Sequence, residues 1–205
     1  MSFPIKVKTN AKEVGRFLSN VHRKQIPFAT ARALTSTAFD VRKELVDRVY
    51  PSAFNLKNKK FPSIVSNVKK ATKRDLTATV GNIRGRAIDY LSLHAEGGTK
   101  RPQGRHLAIP TQHTKRGARG AVPKARRPRQ LLGNKKTFVT SVNGTRVIAQ
   151  RKTKKAYPIE VKYVFTPDAK IDKALAFFES AKKVVNRVFD THFATSFARA
   201  IRTAR

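Results

Sequence analysis

Between Thr111 and Lys136, nine cations (Lys115, Arg116, Arg119, Lys124, Arg126, Arg127, Arg129, Lys135 and Lys136) sit on a backbone interrupted by Gly117, Gly120, Pro123, Pro128 and Gly133. Only Leu131 and Leu132 stand among them to be buried. Lysine and arginine on such a backbone can follow phosphate oxygens without a fixed helix, and each phosphate neutralised releases a counterion. The same residues could instead be solvated or docked on an acidic protein surface, and composition does not separate these readings. Nothing resembles base readout, since no recognition helix, zinc finger or stacking aromatic pair is visible, so nucleic-acid contact here would be blind to sequence. A loop of this length inside a compact domain is functional or is disordered in isolation.

Other chemistry is thin. His22, His94, His106, His113 and His192 have no zinc-like spacing, and there is no cysteine to complete a metal site. No Walker loop, nucleophile elbow or dinucleotide fingerprint appears. A metal-dependent nuclease needs converging carboxylates, yet none lies between Glu96 and Glu160; acids distant in sequence could still meet in space. The expectation is a protein that is not an enzyme and uses neither metal nor cofactor.

The elements that must present the basic loop follow from periodicity. Ile159, Val161, Tyr163 and Phe165 alternate with Glu160, Lys162 and Val164 as in a strand with one buried face. Thr166-Pro167-Asp168 then reads as the cap and first turn of a helix running to about Arg202. It carries Ile171, Leu175, Phe178, Val185 and Val188, then Phe189, Phe193, Phe197 and Ile201 at every fourth position. That last stripe is either more core or a subunit contact.

At the other end, Ile5 and Val7 suit a short edge strand, and Asn10 suits the cap of a helix carrying Val14, Phe17, Leu18 and Val21. Gln25-Ile26-Pro27 should end that helix, because a residue before proline avoids helical angles. A second helix, closed by Tyr50-Pro51, would place Phe28, Ala31, Leu34, Ala38, Val41, Leu45 and Val49 on one face, with Ala29, Ala31, Ala33 and Ala38 small enough for another helix to approach. Residues 52–74 read as a loop with a short helix, Leu76 to Ile83 as a strand, Ala87 to His94 as a short helix or extended segment, Gly97-Gly98 as a turn and Leu107-Ala108-Ile109 as a strand. Phe138–Val142 and Thr145–Gln150 flank Asn143-Gly144 as in a type I′ hairpin, and Arg151–Lys155 form a second basic connector. The fold class is α+β: two N-terminal helices, an antiparallel sheet with a long basic loop at about 111–136, and a long C-terminal helix, all within one domain over 1–205.

Composition sets the partners. A net charge of +33 on 205 residues requires a standing source of counter-charge: nucleic acid, an anionic membrane surface or acidic proteins. The apolar fraction is that of a folded chain, and 205 residues suffice for one domain or two small ones. Met-Ser-Phe-Pro-Ile-Lys lacks the apolar core of a signal peptide, and no apolar run approaches a membrane span, so a soluble intracellular product without membrane association is expected.

Several stretches together resemble tailed-phage virion proteins. They are Gln25-Ile26-Pro27-Phe28-Ala29-Thr30-Ala31-Arg32-Ala33-Leu34 with Phe39-Asp40-Val41-Arg42, Phe54-Asn55-Leu56-Lys57-Asn58, Glu96-Gly97-Gly98-Thr99, Gly104-Arg105-His106-Leu107-Ala108-Ile109-Pro110 and Tyr157-Pro158-Ile159-Glu160-Val161. The likeness is to minor tail proteins of the Z type, also called tail completion proteins, and more loosely to phage neck proteins. It touches most of the chain but through small, apolar and turn residues, none a catalytic signature. Thr35 stands where such proteins often have asparagine, and Glu96 adjoins Gly97 where an aromatic often intervenes. The resemblance implies a homo-oligomeric ring in the tail or neck of a virion, assembled in the host cytoplasm, with other neck or tail proteins and genomic DNA as partners. The alternative is a basic, sequence-nonspecific nucleic-acid-binding protein of ribosomal or chromosomal type.

Overall fold

The computed structural model describes residues 2–5, 9, 20–82 and 90–202. The expected helix opened by Asn10, with Val14, Phe17 and Leu18, lies outside them, as do Val7, Ile83 and Ala87. The chain is a mixed helix and sheet protein with antiparallel sheets and a long C-terminal helix. Its contacts divide it into two compact units: Met1–Glu96 with Lys173–Arg205, and Gly97–Asp172.

In the first unit, strand β1 (Ser2–Ile5) and strand β2 (Asn67–Lys69) flank β3 (Ala78–Gly81) in an antiparallel sheet of order β1-β3-β2. β3 is central and all four of its residues are buried. Helix α1 (Asn20–Glu44) passes straight through Pro27 instead of ending there. An interior proline removes one backbone hydrogen bond and costs about 3 kcal/mol. Here burial of Ile26, Ala29, Thr30, Ala33 and Leu34 within two turns of it offsets that loss. Thr30 Oγ1 also donates to the Ile26 carbonyl at 2.9 Å, on the turn that holds the proline.

Nor does Tyr50-Pro51 close the helix. A π-helical turn, Leu45–Val49, leads directly into α2 (Tyr50–Ala53), with Tyr50 N–H donating to the Leu45 carbonyl. The wide turn inserts a residue before Pro51, which then falls in a first turn, where no N–H is required. The stretch read as a loop with a short helix supplies that helix as α3 (Phe61–Val65), and also β2, which is too short to show periodicity. Helix α4 (Tyr90–Glu96) ends at Gly97 and Gly98, whose φ values of 80° and 146° explain the paired glycines.

The last helix, α6 (Phe177–Arg202), packs along α1. Ala29, Ala33 and Ala38 are at most 1% exposed, which lets the two backbones approach. Asp40 Oδ2 and His192 Nε2 meet at 2.6 Å between these helices. Val41, Leu45, Val80, Leu175 and Phe177 anchor the core they enclose. Phe28 departs from its expected place on the buried stripe: it is 37% exposed, with the Lys73 ammonium 5.0 Å from its ring centre.

α6 starts later than Thr166-Pro167-Asp168 suggests. Thr166 Oγ1 bonds locally with the backbone of Asp168, a turn rather than a cap, because a threonine hydroxyl serves either. Ala169–Ile171 then forms β9 against β4 (Gly98–Lys100). Leu175 N–H donates to the His94 carbonyl at 2.8 Å, and the helix begins at Phe177. Its 26 residues span about 39 Å at the usual rise.

The second unit holds the β4-β9 pair and a four-stranded antiparallel sheet of order β5-β8-β7-β6: β5 (Leu107–Pro110), β6 (Thr137–Val142), β7 (Thr145–Arg151) and β8 (Ile159–Thr166). Asn143 and Gly144 have φ of 49° and 75°, as a type I′ hairpin demands. β8 lacks the clean buried face its alternation suggests: Tyr163 is 3% exposed, but Ile159, Val161 and Phe165 are only half-buried. The β7-β8 register jumps from Ile148↔Tyr163 to Ala149↔Val161, leaving Lys162 as the extra residue of a bulge that breaks the period of two. The small core is Leu131, Ile148 and Tyr163, with Ala108 and Phe165 against it.

Candidate nucleic-acid interface

The basic segment follows a pinned path across the sheet. At its start Thr111 N–H donates to the Lys162 carbonyl at 2.9 Å, and buried Thr114 donates its hydroxyl to the same oxygen. Gly117 N–H to Ala121 O and Gly120 N–H to Gly117 O, both 2.9 Å, close a tight turn that Arg116 Nη1 caps from 3.3 Å through the Gly120 carbonyl. Lys124–Arg126 make one 3-10 turn, and Tyr163 Oη donates to the Arg126 carbonyl at 2.9 Å. Helix α5 (Pro128–Leu132) opens on a proline that needs no donor and drops Leu131 into the core, while Leu132 stays 42% exposed. Despite its glycines and prolines, the segment is tied down by a few backbone bonds and one buried leucine.

All nine cations are exposed. Lys115 and Arg126 line a common cavity, Arg116 and Arg127 lie within electrostatic reach of Tyr163, and Arg119, Arg129, Lys135 and Lys136 occupy other turns of the segment. Burial raises the Tyr163 phenol, and those two arginines work against the rise. The second unit carries nineteen lysines and arginines against Glu160, Asp168 and Asp172. Glu160 is held by Lys162 at 2.6 Å and Lys152 at 3.0 Å, and hydrogen bonds from Lys162 first and Lys152 second lower its carboxyl to about 2. It therefore stays ionised at every ordinary pH and neutralises lysines outside the basic segment. Arg151 lies 5.0 Å from the Phe138 ring centre and Arg146 5.9 Å from that of Phe165. Arg151 opens the second basic connector expected from the sequence, whereas Arg146, on a strand outside the basic runs, adds to the basic surface without a compositional signal.

The histidines with described side chains do not form a metal-binding group. His192 pairs with Asp40, His94 packs edge-on to Phe54 at 5.1 Å and His106 lies 6.2 Å from Phe165. Among the described residues no group of three histidines or carboxylates could hold a metal, and no helix is long and apolar enough to cross a membrane.

On α6, Phe189, Phe193 and Phe197 are half-buried and stacked, with ring centres 6.2 and 5.9 Å apart and ring planes 22° and 10° apart; Ile201 is 37% exposed. Phe189 touches the core. If the open side of this ladder is a subunit contact, Phe193→Asp is expected to abolish self-association and leave a folded monomer, because a carboxylate is costly only where it is desolvated. Sizing beside a circular-dichroism melt checks this, and loss of the fold would place the ladder in the core instead.

No protein-family model, curated protein or solved structure matches this chain.

Proposed function

We propose that this chain is a structural, non-catalytic virion protein of a tailed bacteriophage, completing the tail or joining it to the head as an oligomeric ring around the path of the genomic DNA. The observation that carries the reading is a pinned segment whose nine exposed cations have no neutralising carboxylate among the described residues. A segment fixed to a sheet presents charge without first losing the entropy of a free loop, which suits a lumen through which DNA of any sequence must pass. The sequence resemblance to tail completion proteins supplies the particle, and acidic neighbouring rings would supply further counter-charge. The reading as a ribosomal or chromosomal protein is disfavoured by an internal basic segment, since such proteins more often append a basic tail to a small body.

The test is composition and location. Mass spectrometry of gradient-purified particles should find the chain in several copies per virion, and an antibody against residues 111–136 should decorate the neck or tail end of particles by electron microscopy. Particles free of the chain would overturn the proposal.

A further inference from the structure

The basic segment is not uniform. His113, Thr114, Lys115, Arg126, Leu131, Gln150 and Lys162 line a half-open cavity of about 210 Å³, room for several waters at about 30 Å³ each and hence for a phosphate with its ester oxygens. We propose that this cavity is a seat for one phosphate group, bound by Arg126 and Lys115 with Lys162 at its inner side. The inference deepens the proposed contact with DNA and rests on the same segment.

The walls are built rather than incidental. The bulge in β8 singles out Lys162, whose side chain is 13% exposed and whose Nζ donates to the His113 carbonyl at 3.0 Å. The Lys162 carbonyl takes both Thr111 N–H and the Thr114 hydroxyl, which fixes the residue next to Lys115. Tyr163 Oη fixes the backbone of Arg126, and Gln150 is held through its amide nitrogen to Thr137 Oγ1 at 3.2 Å.

Two of the three cations at this cavity have no carboxylate partner among the described residues. Glu160 engages Lys162 from outside the lining, whereas among the described residues no carboxylate reaches Lys115 or Arg126. A concave site of one sign beside an apolar wall, here Leu131, focuses its field on whatever enters. Two unpaired cations beside Lys162, which Glu160 already shares, suit an anion with oxygens on several sides and more than one partial charge, and an arginine fork matches two such oxygens at once. A planar carboxylate would leave donors unused. The ligand chemistry is therefore phosphate, whether free or as a phosphodiester of the strand.

Titration of inorganic phosphate into the purified protein at low chloride, followed by calorimetry, is expected to show one saturable site. Arg126→Gln should weaken it by about tenfold or more, the usual worth of a charge-assisted bond. Lys115→Gln should weaken it as well, whereas Lys170→Gln, an exposed lysine on β9, should not. A parallel titration with a short duplex separates the sources. If the strand supplies the phosphate, inorganic phosphate competes with the duplex and Arg126→Gln costs duplex affinity more than Lys170→Gln; if only free phosphate enters, the two variants bind duplex alike. No saturable phosphate uptake, or equal losses in all three variants, would overturn the seat. Duplex binding with its salt dependence intact and no phosphate site removes the seat and leaves the proposed function standing, whereas a phosphate site without duplex binding does the reverse for the DNA contact. Circular dichroism of each variant checks that the exposed substitutions leave the fold unchanged.

Discussion

If the proposed function holds, a phage deleted for this chain is expected to fill its heads and polymerise its tails, and to yield almost no infectious particles. The cause is electrostatic. A ring of copies each carrying +33 repels itself, and screening over about 8 Å at physiological ionic strength softens distributed charge without relieving basic segments brought close together. Such a ring closes only on a partner of opposite sign: an acidic tail end, a neck protein or DNA itself. The protein is thus expected to be monomeric or loosely associated when purified at low salt, and to enter the particle late, onto parts already made. Electron microscopy of the lysate decides the matter. Normal infectious particles, or an absence of filled heads, would each defeat the proposed function.

The second large effect is on DNA affinity. If six to ten phosphates are neutralised, binding to duplex DNA should fall by about 10³ to 10⁵ between 50 and 200 mM salt, whatever the sequence. Replacing Arg126, Arg127 and Arg129 together with alanine should flatten the plot of log affinity against log salt by roughly one unit for each phosphate that is no longer neutralised. These three bracket the 3-10 turn and the start of α5, and Tyr163 and Leu131 hold their backbone, so the substitutions remove charge from an intact frame. An unchanged slope would assign the segment to protein partners or to solvent.

How far residues announce structure depended on how local their reasons were. Asn143-Gly144 announced its hairpin because the turn is decided within four residues, and Ala29, Ala33 and Ala38 announced a close helix because only small side chains permit one. Pro27 and Thr166-Pro167-Asp168 misled for the opposite reason. The local rule was sound, but burial along α6 outweighed it in the first case, and pairing of Ala169–Ile171 with Gly98–Lys100 outweighed it in the second. The nine cations were legible as composition. The cavity was not, since it joins Lys115 and Arg126 to Lys162 through a bulge that exists only once β7 and β8 are in register.

The discontinuity of the first unit has a consequence for biosynthesis. Residues 97–172 are contiguous, and their two ends are zipped side by side as β4 and β9, so this unit has every segment it needs as soon as it leaves the ribosome. Helix α1, made earlier, has no such closure: Ala29, Ala33, Leu34 and Ala38 stay without their helical partner until α6, more than a hundred residues later, has been translated. At roughly 5 to 20 residues per second that is a wait of several seconds or more with an apolar face open to water. The nascent chain thus completes its more densely basic unit first and its helical unit last, which makes the interval between them the period in which it most needs a chaperone.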